Sequence, residues 1–276
     1  MVDYTDHQIV VSVSGGKDST AMCLNLFEQG YTKNDFMRVF CDTGWEYPET
    51  YEYLKELEDI IGPIKHIKLD IPVSDEHIES VKKVEEMMGR ESSFVRLVYK
   101  KRMFPSRVVR FCTDNLKFKP LKLFYEDLDA DPINLVGIRK EESKRRSKMD
   151  EWEWNKGFNC WTHRPLINWS EKDVINIHTR FGVIPNRRYL TGMHRVSCYP
   201  CMYARKKEIE VLDENRLQII EFIEKDLDIT FFHSTIEGDN GIRNIHKYSR
   251  TAHGGKQYKL FDQEPPTCEK WGLCGF

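Results

Sequence analysis

The chain has 276 residues, of which 40% are hydrophobic and 31% charged, with a formal net charge of −2. That length allows one large domain or a domain with an appendage, and the composition is that of a globular protein. Near-neutrality excludes a globally basic nucleic-acid binder while leaving room for a local basic face. No apolar run approaches the roughly 18 residues a membrane span needs. Residues 1–6 carry Asp3 and Asp6 and no apolar core, so no secretory signal is read, and a cytoplasmic protein with no membrane partner is expected. Eight cysteines in a chain this long are too sparse for a disulfide scaffold; their grouping points to metal or catalysis.

In chain order, the β-branched run at residues 9–13 predicts a buried strand and residues 21–28 a helix. Between them stands Ser14-Gly15-Gly16-Lys17-Asp18-Ser19-Thr20. Strand, glycine turn and helix N-terminus together make a phosphate cradle: the first helical N–H groups lack partners, the dipole is positive there, and Lys17 adds a point charge. The spacing before Lys17 is not that of a Walker A loop. Residues 36–41 read as a second strand, ending in Asp42-Thr43-Gly44. Pro48 opens a helix to Ile61, stopped by Gly62-Pro63, and residues 64–71 read as a third strand. A helix is expected over residues 75–88, capped by Ser74 or Asp75. Residues 91–110 interleave Arg96, Lys100, Lys101, Arg102, Arg107 and Arg110 with Phe94, Tyr99 and Phe104. They are either a solvated basic face or one that contacts phosphates and stacks bases.

A helix follows to about Asp127, then a buried strand over residues 133–138 whose end carries Gly137-Ile138-Arg139, Glu142-Ser143 and Lys144-Arg145-Arg146. Residues 150–162, with Trp152, Trp154 and Trp161, read as an irregular flap. Ser170 and Asp173 form a capping-box-like start for a helix to Phe181, ended by Gly182. Residues 185–196 read as a loop, followed by Cys198-Tyr199-Pro200-Cys201 and a single helix over residues 205–227. Beyond Gly238 the chain is polar and glycine-dotted. Alternating strands and helices predict a doubly wound, mostly parallel α/β sheet over residues 1–200, with a helical extension and tail over 201–276 packing on it. Because ligands bind at the carboxyl ends of such strands, Asp42 and Arg139 should sit beside the glycine loop.

The Ser-Gly-Gly-Lys-Asp-Ser segment resembles the PP-loop of ATP pyrophosphatases. With Asp42-Thr43-Gly44, Glu49-Thr50, Gly137-Ile138-Arg139, Glu142-Ser143, Arg146, Pro165-Leu166, Trp169 and Asp173-Val174, the chain is similar to the adenine-nucleotide α-hydrolase group that includes phosphoadenylyl-sulfate (PAPS) reductases. The match spans roughly residues 8–205. The intact Ser-Gly-Gly-Lys-Asp-Ser, from which reductases usually depart, favours the ATP-using branch that includes the subunits of Dnd and Ssp DNA phosphorothioation systems. The resemblance implies a Rossmann-like PP-loop fold in which Ser14, Gly15, Gly16, Lys17, Asp18 and Ser19 hold the β,γ-phosphates of ATP. Asp42, Thr43, Gly137, Arg139, Glu142 and Arg146 would line the nucleotide pocket, and Mg2+ would bridge phosphate oxygens near Asp18 or Asp42. Lys17, Asp18, Asp42 and Arg139 would carry the catalysis. Arg145 is a further candidate for substrate phosphate.

The cysteines follow the same resemblance. Cys112, Cys198 and Cys201 match the spacing of iron–sulfur members, implying a 4Fe–4S cluster, with Zn2+ as the alternative. Cys274 is favoured as a fourth ligand over Cys268, Cys160 or His194, while Cys23 and Cys41 read as buried packing residues. The implied reaction adenylates a substrate oxygen before sulfur insertion, most concretely on DNA rather than RNA, with a cysteine desulfurase partner donating sulfur. Its rivals are a sulfonucleotide reductase with Cys274 as nucleophile, a tRNA thiolation enzyme, and a nucleotide-binding subunit without turnover.

Overall fold

The computed structural model describes Tyr4, residues 6–232, residues 241–250 and Trp271. Six strands form one sheet in the order β3-β2-β1-β4-β6-β5. They are β1 (Gln8–Val13), β2 (Phe36–Cys41), β3 (Ile64–Ile67), β4 (Pro132–Leu135), β5 (Trp152–Asn155) and β6 (Cys160–His163). All neighbours run parallel except β5, which pairs antiparallel with β6 at the edge. This is the expected doubly wound, mostly parallel sheet. The first half winds from β1 outward to β3 and the second from β4 outward to β6, so the switch point lies between β1 and β4.

The helices are α1 (Lys17–Glu28), α2 (Pro48–Ile61), α3 (Ile78–Met88), α4 (Ser93–Lys101), α5 (Phe111–Thr113), α6 (Lys119–Glu126), α7 (Glu171–Arg180), α8 (Arg187–Leu190), α9 (Lys206–Glu210), α10 (Glu214–Leu227) and α11 (Ile242–Ser249). Both faces of the sheet are covered, so β1 is apolar on both sides rather than alternating. Ile9, Val11 and Val13 pack with Met22, Leu26, Leu54, Leu57, Val174 and Ile177 from α1, α2 and α7. Val10 faces the other way, onto Phe124 and Tyr125 of α6. A third core joins α3, α4 and α10 around Trp45, Phe94, Leu97, Leu217 and Ile220. Burial of each such aliphatic or aromatic side chain is worth about 1.5–3 kcal/mol.

Several local expectations change; among them, the strand read over residues 133–138 ends at Leu135 and the loop read over residues 185–196 contains α8. The strand expected over residues 64–71 ends at Ile67, because its partner β2 ends at Cys41, opposite Ile67. The tryptophan-rich flap is a β-hairpin. Trp152-Glu153-Trp154-Asn155 alternates with period two, and the Asn155 side chain accepts the Gly157 N–H at 3.0 Å to close the turn. The helix expected over residues 205–227 is broken into α9 and α10, because Asp213 adopts extended backbone and caps α10 by accepting the Arg216 N–H at 2.7 Å. The polar stretch after Gly238 contains α11.

Residues 93–101 form a helix capped by Ser92, which accepts the Val95 N–H. Phe94, Tyr99 and Phe104 are buried. The base-stacking reading of that segment therefore fails: its rings face the core, and Arg96 pairs with Glu85 at 2.8 Å. Among the described residues no helix is long and apolar enough to cross a membrane.

Candidate phosphate site at the sheet's switch point

The glycine loop leaves β1 and enters α1 at the switch point. Gly15 has φ +68, a left-handed conformation that costs any other residue strain, and a Cβ there would stand 2.9 Å from Thr50 Cγ2. Gly16 is the N-cap of α1, and no side chain caps the helix there. The hydroxyls of Ser19 and Thr20 turn back to the Gly16 carbonyl, at 2.9 and 3.2 Å, and Ser19 Oγ accepts the Ser14 N–H at 3.2 Å. These bonds fix the loop from inside and, apart from the Lys17 N–H, which the Tyr189 hydroxyl accepts, leave the helix N-terminus for an anion.

β4 delivers the second wall. A Cβ on Gly137 would lie 2.7 Å from the Asp18 carbonyl oxygen and 3.1 Å from Ser19 N, so the two backbones touch. Alanine at Gly137 should therefore cost about 1–3 kcal/mol by overpacking, read as a lower urea midpoint at unchanged slope. Just beyond, the Arg139 side chain donates to Asp18 at 2.5 Å and to Glu141 at 2.8 Å. The Arg139 N–H meets Glu142 at 2.8 Å, and Glu142 also pairs with Arg146.

Lys17 is only 8% exposed. Its ammonium lies 3.6 Å from Asp18 and 3.7 Å from Glu171, and 4.9 Å from the centre of the Tyr189 ring. Lys17, Arg139 and Arg146 thus face Asp18, Glu141, Glu142 and Glu171. The resting site is neutralised by its own carboxylates. An incoming phosphate can displace Glu171, which is half exposed, from Lys17 without a new cation being built. Asp18 is already engaged by two cations.

Four residues that the sequence reading passed over complete this arrangement: Glu171, His178, Tyr189 and Trp271. The Tyr189 hydroxyl accepts the Lys17 N–H at 3.3 Å. His178 Nε2 lies 2.9 Å from the Lys17 carbonyl, and its Nδ1 3.3 Å from that of Val183. Trp271 meets the His178 ring edge-on at 5.3 Å and the Tyr189 ring at 6.3 Å. The available signals were weak: a histidine on the apolar Val174–Ile177 face of α7, and Asn186, which caps α8.

Burial holds the His178 imidazole below its ordinary pKa, against the raising pull of both carbonyls. The unfolded chain takes up that proton near pH 6.5, the folded chain only lower. The folded state is thus at full strength above pH 6.5 and weakens as pH falls through it. Melting temperatures measured from pH 7 down to 5 should drop for the wild type and drop less for His178→Gln.

Asp42 lies at the neighbouring strand end in a different network. Its carboxylate accepts the Gly44 N–H at 2.9 Å and the Tyr51 hydroxyl at 2.7 Å. Thr43 is buried, with its hydroxyl donated to Glu46 and its carbonyl accepting the Phe94 N–H. Among the described residues no hydrogen bond or ion pair joins Asp42 or Thr43 to the glycine loop.

The cysteines converge beside that turn. Cys198 bridges to Glu46, and Trp45 holds the C-x-x-C turn through its carbonyl to Tyr199 N–H at 2.7 Å and its indole N–H to the Pro200 carbonyl at 3.1 Å. Cys198 and Cys201 line one small cavity with Tyr47 and Glu208. Cys112 and Lys117 are near enough to this pair to perturb it electrostatically. Burial pushes the Cys198 thiol up to about 12, against the lowering pull of Lys117. Among the described residues, however, no group of three or more His, Cys, Asp or Glu side chains is arranged to hold a metal ion. The three thiols are neighbours without forming a ligand set. Cys160 stands apart from these three: it opens β6, between β4 and β5, and packs with Phe158. Cys23 is buried, as expected, and Cys41 half-buried. Cys268 and Cys274 lie outside the described residues.

A parallel sheet in 3-2-1-4 order, with an uncapped, glycine-led helix N-terminus and a buried lysine at its switch point, defines a nucleotide-binding α/β protein of the PP-loop type. Residues 8–204 match the phosphoadenosine phosphosulfate reductase domain, and the chain belongs to that family. It is 31% identical to an uncharacterized 37.8 kDa protein of Escherichia phage 186, over 91% of this chain and 90% of that one. It is 27% identical to the adenosine 5′-phosphosulfate reductase of Salinibacter ruber, over 59% of this chain and 56% of that enzyme. A phosphate complex of the PAPS reductase from Candida auris superposes with a TM-score of 0.49 at 17% identity, covering 71% of this chain and 83% of that one.

Proposed function

We propose that the protein is an ATP pyrophosphatase that adenylates a substrate oxygen for sulfur insertion, with a DNA phosphate as the acceptor. The observation that carries this reading is the intact Ser14-Gly15-Gly16-Lys17-Asp18-Ser19 loop, with Lys17 held in a nearly closed site at the uncapped N-terminus of α1. The loop N–H groups and Lys17 hold the β,γ-phosphates, while Arg139 stands over the α-phosphate side. A non-bridging phosphate oxygen of the acceptor attacks the α-phosphorus of ATP. The bond to the β-phosphate oxygen breaks, and pyrophosphate leaves on the loop. Such a transfer needs positioning and charge neutralisation more than covalent help from the protein. Mg2+, when bound, neutralises the phosphate oxygens. A partner cysteine desulfurase then supplies a persulfide whose terminal sulfur attacks the adenylated phosphorus, AMP leaves, and a thiol reductant cleaves the remaining S–S bond.

The reading also assigns a 4Fe–4S cluster to Cys112, Cys198 and Cys201, with Cys274 as fourth thiolate. The thiols as they stand are not a ligand set, so no step above depends on it. Anaerobic purification tests the assignment. A brown protein absorbing near ~400 nm carries a cluster, and a colourless, zinc-loaded one does not.

The test of the reaction is pyrophosphate release from ATP with DNA, tRNA or no acceptor. Release with tRNA alone moves the acceptor to RNA, and cleavage of ATP to ADP sinks the adenylation reading. A second reading, sulfonucleotide reduction, is supported by the likeness to the Salinibacter ruber enzyme. It requires sulfite release from adenosine 5′-phosphosulfate or its 3′-phosphorylated form, without pyrophosphate.

A further inference from the structure

The hairpin at the far edge of the sheet carries an exposed aromatic face that the nucleotide site does not use. Trp152 and Trp154 share one face of β5, and Trp161 lies directly across from Trp154 on β6. They are 37%, 44% and 45% exposed. Three half-exposed indoles on a hairpin of two four-residue strands are a large apolar surface to leave in water. They are also rigidly arranged. Trp152 lies flat on His163, ring centres 3.9 Å apart at 7°. Trp161 stands edge-on to Trp152 at 6.5 Å and to Trp154 at 5.5 Å. His163 in turn is buried under Tyr4, whose hydroxyl meets its Nδ1 at 2.5 Å. The rings are set before anything binds.

The segment that crosses the edge from β4 to β5 supplies the charge. Glu141 pairs with Arg139, Glu142 with Arg146 and Glu153 with Arg164, while Glu151 lies against His163, whose imidazole burial holds below its ordinary pKa. Lys144, Arg145 and Lys148 are exposed and make no ion pair among the described residues; Asp150 and Glu151 are the carboxylates of the segment that likewise lack a cationic partner. The register places Trp152 opposite His163 and His163 opposite Leu135, at the carboxyl edge of the sheet. Two strand spacings, about 10 Å, separate that ring from β4, whose end leads to Gly137 and Arg139. In a protein of net charge −2, these three cations lie on the stretch of chain that runs from Arg139 to Trp152 and so links the phosphate site to the indoles.

We propose that the Trp152–Trp154–Trp161 face, with Lys144, Arg145 and Lys148 at its rim, seats single-stranded DNA by base stacking and leads it to the phosphate site. Stacking on indole is tolerant of sequence because every base has a π-face, and cations beside the rings track the backbone. The choice of DNA rests on the acceptor proposed above; the stacking surface itself does not.

Binding of a fluorescein-labelled oligothymidylate to the full chain, at two salt concentrations and without ATP, tests this. The expected result is saturable binding that quenches tryptophan emission, weakened about ten-fold by Trp154→Ala and by Trp161→Ala. Trp154→Phe should retain most of the affinity. Circular dichroism melts confirm that each variant is folded. Lys148→Ala should reduce the salt dependence without abolishing the quench. Unchanged affinity in both alanine variants overturns the proposal, as does equally tight binding of inorganic polyphosphate, which has charge but no bases. Tighter binding of oligouridylate overturns the choice of DNA. A dimer that Trp154→Ala dissociates assigns the face to a second copy of the chain instead. Pyrophosphate release is measured separately. Tryptophan-dependent binding with no release refutes the adenylation reading and leaves the surface standing; release with DNA that ignores the tryptophans does the reverse.

Discussion

Alanine in place of Lys17 lowers the turnover of pyrophosphate release by about 10²–10³-fold, the usual cost of removing one preorganised charge from a developing phosphate charge. The size of the effect follows from the setting. The ammonium is nearly closed off from water, so its field on a bound phosphate is screened less than that of a surface lysine. Removing it also leaves Asp18 and Glu171 facing the phosphates, which turns a neutralised mouth into a repelling one. Lys17→Arg should rescue poorly, because a guanidinium must fit beside the Tyr189 ring 4.9 Å away. Single-turnover release with saturating ATP checks this. No release by the wild type, with sulfur insertion by its complex indifferent to Lys17→Ala, would instead fit the subunit without turnover.

Gly44→Ala is the substitution with the largest expected effect on stability. Gly44 has φ +69, and a Cβ there would lie 2.5 Å from both the Glu91 carbonyl oxygen and Ser92 Cα. The contacts are backbone, so no rotamer change relieves them. A non-glycine residue in that conformation costs about 1–2 kcal/mol, and overpacking adds about 1–3 kcal/mol. Together they amount to roughly 2–5 kcal/mol, a large part of the stability of an ordinary domain. The strain is felt beyond the turn, because the Thr43 carbonyl accepts the Phe94 N–H and Trp45 stacks on Phe94 at 4.7 Å. α4 would have to lift from the end of β2. Urea unfolding should show the fall in midpoint, and near-ultraviolet circular dichroism should show the loss of the Trp45 environment.

The sheet was legible in the chain because its centre is written in local chemistry. The run before Ser14, the boundaries of β2, and the Pro48 and Gly62 that bracket α2 need no distant partner to be read. What failed depended on tertiary context. The Trp152–Asn155 alternation makes a strand only because β6 offers an edge to pair with. Phe94 and Tyr99 read as stacking rings until α3 and α10 buried them. The site divides the same way. The glycine loop, Lys17, Asp18 and Arg139 were placed together by the rule that strand ends gather ligands, and the structure joins them directly. Asp42 follows the same rule, but its bonds go to Tyr51 and Gly44. Glu171, His178 and Tyr189 carry no local sign of their role, since what each does is touch residue 17 from more than 150 positions away.

That last separation bears on how the protein is made. The glycine loop leaves the ribosome well before residues 178 and 189, which hold the backbone N–H and carbonyl of Lys17, and before Trp271, which backs those two rings. Contacts so far apart in sequence form late, after the local helices and the central strands. A nascent chain can therefore complete its sheet while the loop at the switch point is still unclamped. The grip on a phosphate is therefore completed only once residues 178 and 189 have emerged and folded back onto the loop, with Trp271 joining after them.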